Sequence, residues 1–461
     1  MNITAHLDYQ TILANQSVPI YFALQLQAPE ITSARPQPAA FCVVLDRSGS
    51  MDGASLERAK EAALVAIKNL RPDDLFGLVV FDDQAQTVIP LQPAKNKQQF
   101  QQAVAGIRSG GSTNLTGGWM LGRDQLASAP AGTSRRALLL SDGHLNVGIV
   151  EPPQVRSIVA SGLEQASIRT SCLGFGDGYN EDLMSSIAAA TGGVFYDAVS
   201  PEKFPAIFSS ELQGLQKIAS QNVRLRLKLL DFCDGYTALG EYPSVTLPDG
   251  RREFALGDLV SSEERIVVFA LSTLPLPAVG GQPVTSLEGE QLIEIELAYD
   301  ELAREGISSK TFTQIIRIQS TQDPAQVVVN AQVIPWVALQ RAGQVMKSAV
   351  ERLDAGNNDA ALAQLRECQA ALQGYGASQE IQEALITLEH IASQIEQGEW
   401  GARARKGSQY RAASLCKMSS RDLWCADEAA PSFKKPEPPA PTPPAQTPPG
   451  QQPPTDNQQS S

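Results

Sequence analysis

Residues 41–51 read FCVVLDRSGSM, an apolar run that ends abruptly in small, oxygen-bearing residues. A continuous apolar run of this kind is typical of a strand that is buried on both faces, as in the parallel sheet of an α/β domain. After it, Asp46, Ser48 and Ser50 alternate with other residues, so a turning loop directs their oxygens towards one point. Converging oxygens of this kind are typical of a metal or phosphate site.

Residues 41 to about 220 alternate short apolar runs with helical patterns. We predict strands over 41–46, 75–81, 85–89, 136–141, 168–175 and 193–197, and helices over 54–70, 96–107, 115–127, 153–166, 180–191 and 202–219. This alternation predicts an α/β fold with a doubly wound, mostly parallel, Rossmann-like sheet. Such sheets bind ligands beyond the carboxyl ends of their strands, and Asp46 closes the first strand of this one.

The segments on either side of this region have a different spacing of apolar residues. Apolar residues alternate with polar ones in VPIYFALQLQ at 18–27 and again in NVRLRLKLL at 222–230, as in strands with one wet face. A sheet needs a partner for its apolar face. We therefore expect residues 5–30 to pair with 221–320, which makes one antiparallel β-sandwich into which the α/β domain is inserted.

The spacing of apolar residues becomes helical after the second set of predicted strands. Three helical stretches, at about 330–354, 358–373 and 378–397, are separated by short turns, and a polar, proline-rich tail follows. The predicted segments are the first sandwich strands (1–38), the α/β domain (39–220), the rest of the sandwich (221–325), a helical region (326–428) and a disordered tail (429–461).

Charge and composition exclude several classes of partner. The net charge of −13 argues against nucleic acid, which requires a basic surface. No run is apolar enough for a membrane span, and the first ten residues lack the pattern of a secretory signal, so we expect a cytoplasmic protein. The six cysteines lack CxxC spacing and are interpreted as buried thiols.

Two further segments complete the oxygen pattern. Thr113 lies in the glycine-rich sequence GGSTNL, just before a predicted helix, and Asp142 follows the apolar strand LLLS. Serine and aspartate at strand ends also cap helices, and for any one segment alone capping is the simpler interpretation. The three segments together favour a shared metal site.

VLDRSGSM, GGSTNL and LLLSDG together resemble the metal ion-dependent adhesion site (MIDAS) of the von Willebrand factor type A domain. The wider layout also resembles bacterial proteins of this family in which the A-type domain interrupts a β-sandwich, as in relatives of the inter-α-trypsin inhibitor heavy chains. The resemblance implies that Ser48 and Ser50 ligate Mg²⁺, that Thr113 joins directly or through water, and that Asp46 and Asp142 act mostly through water. Ca²⁺ and Mn²⁺ are alternative occupants. Hydroxyl ligands with carboxylates behind them suit Mg²⁺, which retains waters and prefers oxygen.

Two residues are candidates for a rim that contacts a partner. His144 follows Asp142 closely, and Asp82 follows the predicted strand GLVVF. The simpler interpretations are an exposed loop histidine and a solvated turn.

Three functional hypotheses follow. The first is a non-enzymatic module whose metal binds an aspartate or glutamate carboxylate of a protein partner. The second is an accessory subunit of an AAA+ ATPase or metal-chelatase-like complex. The third is a metal-dependent hydrolase, for which His144 is the candidate base.

Overall fold

The computed structural model describes residues 1–418 apart from 32–37, 143–145, 177, 199, 277–288, 304–305 and 376–377. His144, Cys425 and the predicted tail at 429–461 therefore lie outside the described residues.

The chain begins with three strands and then enters the α/β region. The first three strands are β1 (Asn2–Leu7), β2 (Tyr9–Leu13) and β3 (Pro19–Gln27). The α/β region comprises β4 (Ala39–Asp46), α1 (Ala54–Asn69), β5 (Leu75–Phe81), β6 (Ala85–Pro93), α2 (Lys97–Ala105), α3 (Leu115–Ala127), β7 (Ser134–Ser141), α4 (Pro152–Ala166), β8 (Ile168–Phe175), α5 (Glu181–Thr191), β9 (Phe195–Ala198) and α6 (Phe204–Gln216).

The α/β sheet has the strand order β6-β5-β4-β7-β8-β9, and β6 is its antiparallel strand. β4 lies between β5 and β7 and is parallel to both, so the strand order reverses there. All eight residues of β4 are buried, as its apolar sequence predicts. The carboxyl ends of β4 and β7 are neighbours, which brings Asp46 close to the end of β7 at Ser141.

Eight strands follow the α/β region. They are β10 (Ile218–Leu229), β11 (Cys233–Ala238), β12 (Ser244–Thr246), β13 (Arg252–Val260), β14 (Glu264–Thr273), β15 (Glu290–Ala303), β16 (Gly306–Thr321) and β17 (Val328–Val329). They form a four-stranded sheet, β1-β3-β14-β11, and a seven-stranded sheet, β12-β13-β10-β15-β16-β2-β17. A separate apolar core lies between these sheets.

The first three strands are divided between the two sheets of the sandwich. β3 pairs with β14 along its whole length, from Pro19 opposite Ser272 to Gln27 opposite Glu264. β2 pairs with the end of β16 over Thr11–Leu13. The chain thus starts the sandwich, leaves it for the α/β domain and returns to finish it. This arrangement confirms the predicted fold class.

Four helices end the described chain: α7 (Val333–Asp354), α8 (Asn358–Gln373), α9 (Gln379–Glu396) and α10 (Ala402–Lys417). The sequence pattern predicts the first three and misses α10. Its sequence, ARARKGSQYRAASLCK, is too rich in basic and small residues for a strong apolar stripe. Tertiary contacts hold it instead, since the ammonium of Lys406 is buried against the carboxylate of Glu181 at 2.6 Å.

Two other expectations concern cysteines and membranes. Cys42, Cys172, Cys233 and Cys416 are buried, as predicted, and Cys368 is half-buried. Among the described residues, none of the helices is both long enough and apolar enough to cross a bilayer.

Candidate metal centre

The first part of the candidate centre is the loop that leaves β4. Asp46 is fully buried, and its Oδ1 accepts a hydrogen bond of 2.8 Å from the backbone N–H of Ser48. A short 3₁₀ turn over Gly49–Met51 follows, and the side chain of Met51 is buried in the α/β core. The loop therefore turns back at once and keeps both serine hydroxyls at the carboxyl edge of the sheet.

The second part is the end of β7, which lies beside β4. The hydroxyl of Ser50 donates a hydrogen bond of 2.8 Å to Oδ1 of Asp142, and the hydroxyls of Ser48 and Ser50 are 3.1 Å apart. Ser48 is buried, Ser50 is exposed and Asp142 is half-buried. Oxygens from two separate strand ends thus form a chain that opens towards solvent.

The third part is the glycine-rich loop before α3. Its Gly110 N–H donates to the carbonyl of Arg47 at 2.7 Å, and the N–H of Gly49 donates to the carbonyl of Gly111 at 2.9 Å. A Cβ on Gly110 would lie 2.0 Å from Oδ2 of Asp82, so a larger residue there would have to displace that carboxylate. These two backbone bonds fasten the glycine-rich loop to the loop that follows β4.

Thr113 is nearly buried at the end of this loop, with 4% of its surface exposed. Its backbone N–H donates to Oδ1 of Asn146 at 2.8 Å, and its carbonyl accepts from the N–H groups of Asn146 and Val147. The segment after β7 therefore positions Thr113. The sequence patterns do not single out Asn146, because an asparagine in a loop has many local roles.

A second residue that the sequence patterns miss is Ser141. Its hydroxyl donates to Oδ2 of Asp46 at 2.5 Å and is fully buried. With the Ser48 N–H on Oδ1, both carboxylate oxygens of Asp46 are held in place. A hydroxyl at the end of a buried strand, next to Asp142, is the signal that identifies Ser141.

Electrostatics at this edge disfavour two negative charges. Burial raises the pKa of Asp46 to about 6, the bonds from Ser141 and Ser48 lower it, and the charge of Asp142 raises it. Burial also raises the pKa of Asp142, against the lowering effect of the Ser50 hydroxyl. Within the described part of the chain neither carboxylate has a basic partner, because the guanidinium of Arg47 pairs with Asp82 instead.

The donor set fits a small divalent cation. Neighbouring ligands of an octahedral Mg²⁺ with bonds of about 2.0–2.1 Å lie about 2.9 Å apart. The separation between the hydroxyl oxygens of Ser48 and Ser50, 3.1 Å, is close to that value. A divalent cation there would also reverse the electrostatic penalty on Asp46 and Asp142. The described residues contain no metal-binding cluster of three or more His, Cys, Asp or Glu side chains, so this centre depends on hydroxyls.

The two predicted rim residues have different outcomes. His144 lies outside the described residues. Asp82 is 9% exposed, and its Oδ2 is 2.9 Å from the guanidinium of Arg47. Its carbonyl also accepts from the N–H of Asn114 at 2.9 Å. Asp82 therefore joins the loop after β4 to the glycine-rich loop, and the prediction that it contacts a partner stays a prediction.

Fold and site geometry together define a class of protein. Residues 42–210 match the family model of the von Willebrand factor type A domain, and the chain contains such a domain.

Relatives extend the similarity beyond this domain. An uncharacterised protein of Synechocystis sp. is 27% identical over 345 residues, which cover 72% of this chain and 78% of that protein. Human inter-alpha-trypsin inhibitor heavy chain H4 is 29% identical over 258 residues, which cover 49% of this chain. The match spans only 27% of the length of H4.

Solved structures share the layout of the described chain. A von Willebrand factor type A protein from Catenulispora acidiphila superposes with a TM-score of 0.70 at 17% identity, covering 90% of this chain and 96% of that one. The ArnB paralog VWA2 from Sulfolobus acidocaldarius has a TM-score of 0.63 at 14% identity, with coverages of 90% and 98%. These likenesses concern the fold alone, and they include the sandwich and the helices as well as the α/β domain.

Proposed function

We propose that this protein is a metal-dependent protein-binding module. Mg²⁺ is the proposed ion, with Ser48, Ser50 and Thr113 as its hydroxyl ligands and Asp46 and Asp142 as the carboxylates behind them. The ligand is an aspartate or glutamate side chain of a protein partner. When bound, the ion supplies a coordination position that the partner's carboxylate completes.

One observation carries this proposal. The chain of oxygens from Ser48 through Ser50 to Asp142 connects two strand ends that are far apart in sequence. A capping role for each serine or aspartate would not require these side chains to meet. The match of residues 42–210 to the von Willebrand factor type A domain supports the same reading, since these domains commonly bind proteins through a divalent ion.

The side chains of the proposed centre have different roles. Ser50 is exposed and lies at the surface where a partner approaches, whereas Asp46 is buried beneath it. Ser141 and the Ser48 N–H each donate a hydrogen bond to one carboxylate oxygen of Asp46. These bonds fix the orientation of the carboxylate beside the proposed hydroxyl ligands. Because hydroxyl ligands are neutral, the positive charge of the ion remains available to the partner's carboxylate. One such contact gives little selectivity, so the surrounding loops must choose the partner.

The test is the thermal stability of the full chain with Mg²⁺ and with a chelator. At a Mg²⁺ concentration about a hundred times the dissociation constant, the wild type should gain about 2.7 kcal/mol, seen as a rise in Tm. Asp46→Ala and Ser50→Ala should lose that rise. Ser308→Ala is the matched control, because Ser308 is an exposed serine on β16, outside the α/β domain. A Mg²⁺ response in Ser50→Ala equal to that of Ser308→Ala would refute the metal assignment.

A second experiment addresses the partner. Affinity purification on the immobilised full chain, first in Mg²⁺ and then in chelator, should release proteins that Asp46→Ala does not retain. The alternative of an AAA+ accessory subunit finds no support in the family match or in the relatives named above. The hydrolase hypothesis depends on His144, which lies outside the described residues.

A further inference from the structure

A large cleft lies between the α/β domain and the sandwich. Its volume is about 1300 Å³, and one wall is formed by α4, from Pro153 onwards, and by Ser167, which follows the helix. The opposite wall comes from β10, β11, β12 and β13. With 15 residues, α4 is about 22 Å long. An extended segment of about seven residues spans that length.

The charge in this cleft differs from that of the whole chain. Arg156 on α4, Arg224 on β10 and Arg252 on β13 all line it and are exposed. None of these three forms an ion pair with another described residue. Three of the carboxylates in the lining are already paired, namely Asp182 with Arg405, Glu241 with Lys347 and Glu253 with Arg226. Glu164, on α4, is the lining carboxylate without an ion pair among the described residues.

The cleft also has apolar surface beside the arginines. Tyr236 and Phe254 line it, and Val245 on β12 is 49% exposed although it is fully apolar. The guanidinium of Arg252 lies over the ring of Phe254, 5.6 Å from its centroid, and donates to the hydroxyl of Ser244. A ligand that fits both features carries negative charge and apolar groups along an extended backbone.

The segment after β7 connects the candidate metal centre to one wall of the cleft. The segment after β7 contacts Thr113 through Asn146 and contacts Thr116 through the carbonyl of Ile149. Only four residues later, Pro153 begins the lining of the cleft. The same segment thus contacts the candidate centre and leads into the helix that lines the cleft, so the two sites are neighbours along the chain.

We infer that this cleft binds an extended, acidic polypeptide segment of the protein whose carboxylate is proposed to reach the metal. The link to the metal rests on the proposed function, whereas the charge of the segment rests on Arg156, Arg224 and Arg252 alone. A polypeptide fits better than a nucleic acid. The three arginines without an ion pair offer too little positive charge for a phosphate backbone. The carboxylates of Glu164 in the lining, and of Asp46 and Asp142 at the metal centre, would also repel the phosphates.

The test uses the full chain and fluorescein-labelled octaglutamate, measured by fluorescence polarisation at low ionic strength in a chelator. The triple variant R156A/R224A/R252A should bind the peptide at least about tenfold more weakly. The matched control is K68A/K310A/R352A, which removes the same charge from exposed positions outside the cleft that have no ion pair among the described residues. Its affinity should stay within about twofold of the wild type.

Two further arms make the result decisive. Arg156→Glu, a single change on the exposed face of α4, should weaken binding about threefold without affecting folding. The measurement is made in chelator and so does not depend on a bound metal, which keeps a failure of the cleft proposal distinct from a failure of the metal assignment. Wild-type affinity in the triple cleft variant would overturn the inference, as would equal losses in the control triple. Equally tight, cleft-dependent binding of an oligothymidylate of the same charge would overturn the choice of a polypeptide.

Discussion

The hydroxyl of Ser50 donates to Oδ1 of Asp142, and 92 residues separate the two in sequence. The bond exists because β4 and β7 are parallel neighbours, so that their carboxyl ends meet at one edge of the sheet. Around this pair, backbone bonds from the glycine-rich loop and from the segment after β7 hold the remaining candidate ligands. The centre is therefore a property of the sheet topology, and substitutions behind the ligands should affect it.

Removing the hydroxyl behind Asp46 should weaken Mg²⁺ binding without removing any ligand. Ser141→Ala leaves Oδ2 of Asp46 without its donor, and losses of such supporting contacts typically cost about 10–100-fold in metal affinity. Isothermal titration with Mg²⁺ measures the change. Ser171→Ala is the matched control, because Ser171 is a buried serine on β8 whose hydroxyl accepts from the N–H of Val194. It should lower Tm but leave the Mg²⁺ affinity unchanged, and parallel behaviour of the two variants would argue against the role of Ser141.

A methyl group at Gly110 should disturb the centre through Asp82. The added Cβ meets Oδ2 of Asp82 at 2.0 Å, and the ion pair with Arg47 resists its displacement. We expect Gly110→Ala to destabilise the protein by about 1–3 kcal/mol and to weaken Mg²⁺ binding. Gly407→Ala in α10 provides the contrast, since a Cβ there meets nothing within 4 Å. It should stabilise the protein by up to about 1 kcal/mol. Calorimetry should show a lower Tm than the wild type for Gly110→Ala and a higher Tm for Gly407→Ala.

The pH dependence of stability should contain a contribution from Asp8. Burial raises the pKa of this carboxyl to about 6 from an ordinary 3.8, although the Tyr21 N–H lowers it. Below about pH 4 both the folded and unfolded states carry the proton, and between about 4 and 6 only the folded state does. Stability is therefore lost progressively as the pH rises from about 4 to 6, by about 2–3 kcal/mol at most.

Asp8→Asn should remove that contribution, because the amide is neutral and its oxygen still accepts from Tyr21. The Tm of Asp8→Asn minus that of the wild type should increase from pH 4 to pH 7. The exposed Asp359→Asn, on α8, serves as the control and should show no such trend. A difference for Asp8→Asn that does not change with pH would contradict the assignment.

The buried ion pair on α10 should matter more than a surface pair. The ammonium of Lys406 is 2.6 Å from both the carbonyl of Tyr179 and a carboxylate oxygen of Glu181, and lies 3.8 Å from the Tyr179 ring centroid. Lys406→Met leaves part of the Glu181 charge uncompensated, so a loss of about 3 kcal/mol is expected. Lys347→Met breaks an exposed pair with Glu241 and should cost about 1 kcal/mol or less. Equal Tm losses for the two variants would mean that α10 docks mainly through other contacts.

The sequence alone was sufficient for the elements whose stability is local in origin. β4 was predictable because the continuous apolar run FCVVL leaves no wet face, and α3, predicted over 115–127, is found over Leu115–Ala127. β3 was predictable from a different pattern, the alternation of apolar and polar residues, because successive side chains of a strand point to opposite faces of the sheet. The three oxygen-bearing segments of the candidate centre were also predictable, because each of them is a short motif at the end of a strand or in a loop before a helix.

Other features depended on contacts that no local pattern records. α10 forms because Lys406, Arg405 and Arg403 find carboxylates on the α/β domain, and its own sequence has only a weak apolar stripe. Ser141 and Asn146 acquire their roles only when the ends of β4 and β7 and the glycine-rich loop meet. Short motifs along the chain thus determined the kinds of side chain available at the centre. Sheet order decided which of them touch, because hydrogen bonds and ion pairs form between neighbours in space, whatever their separation along the chain.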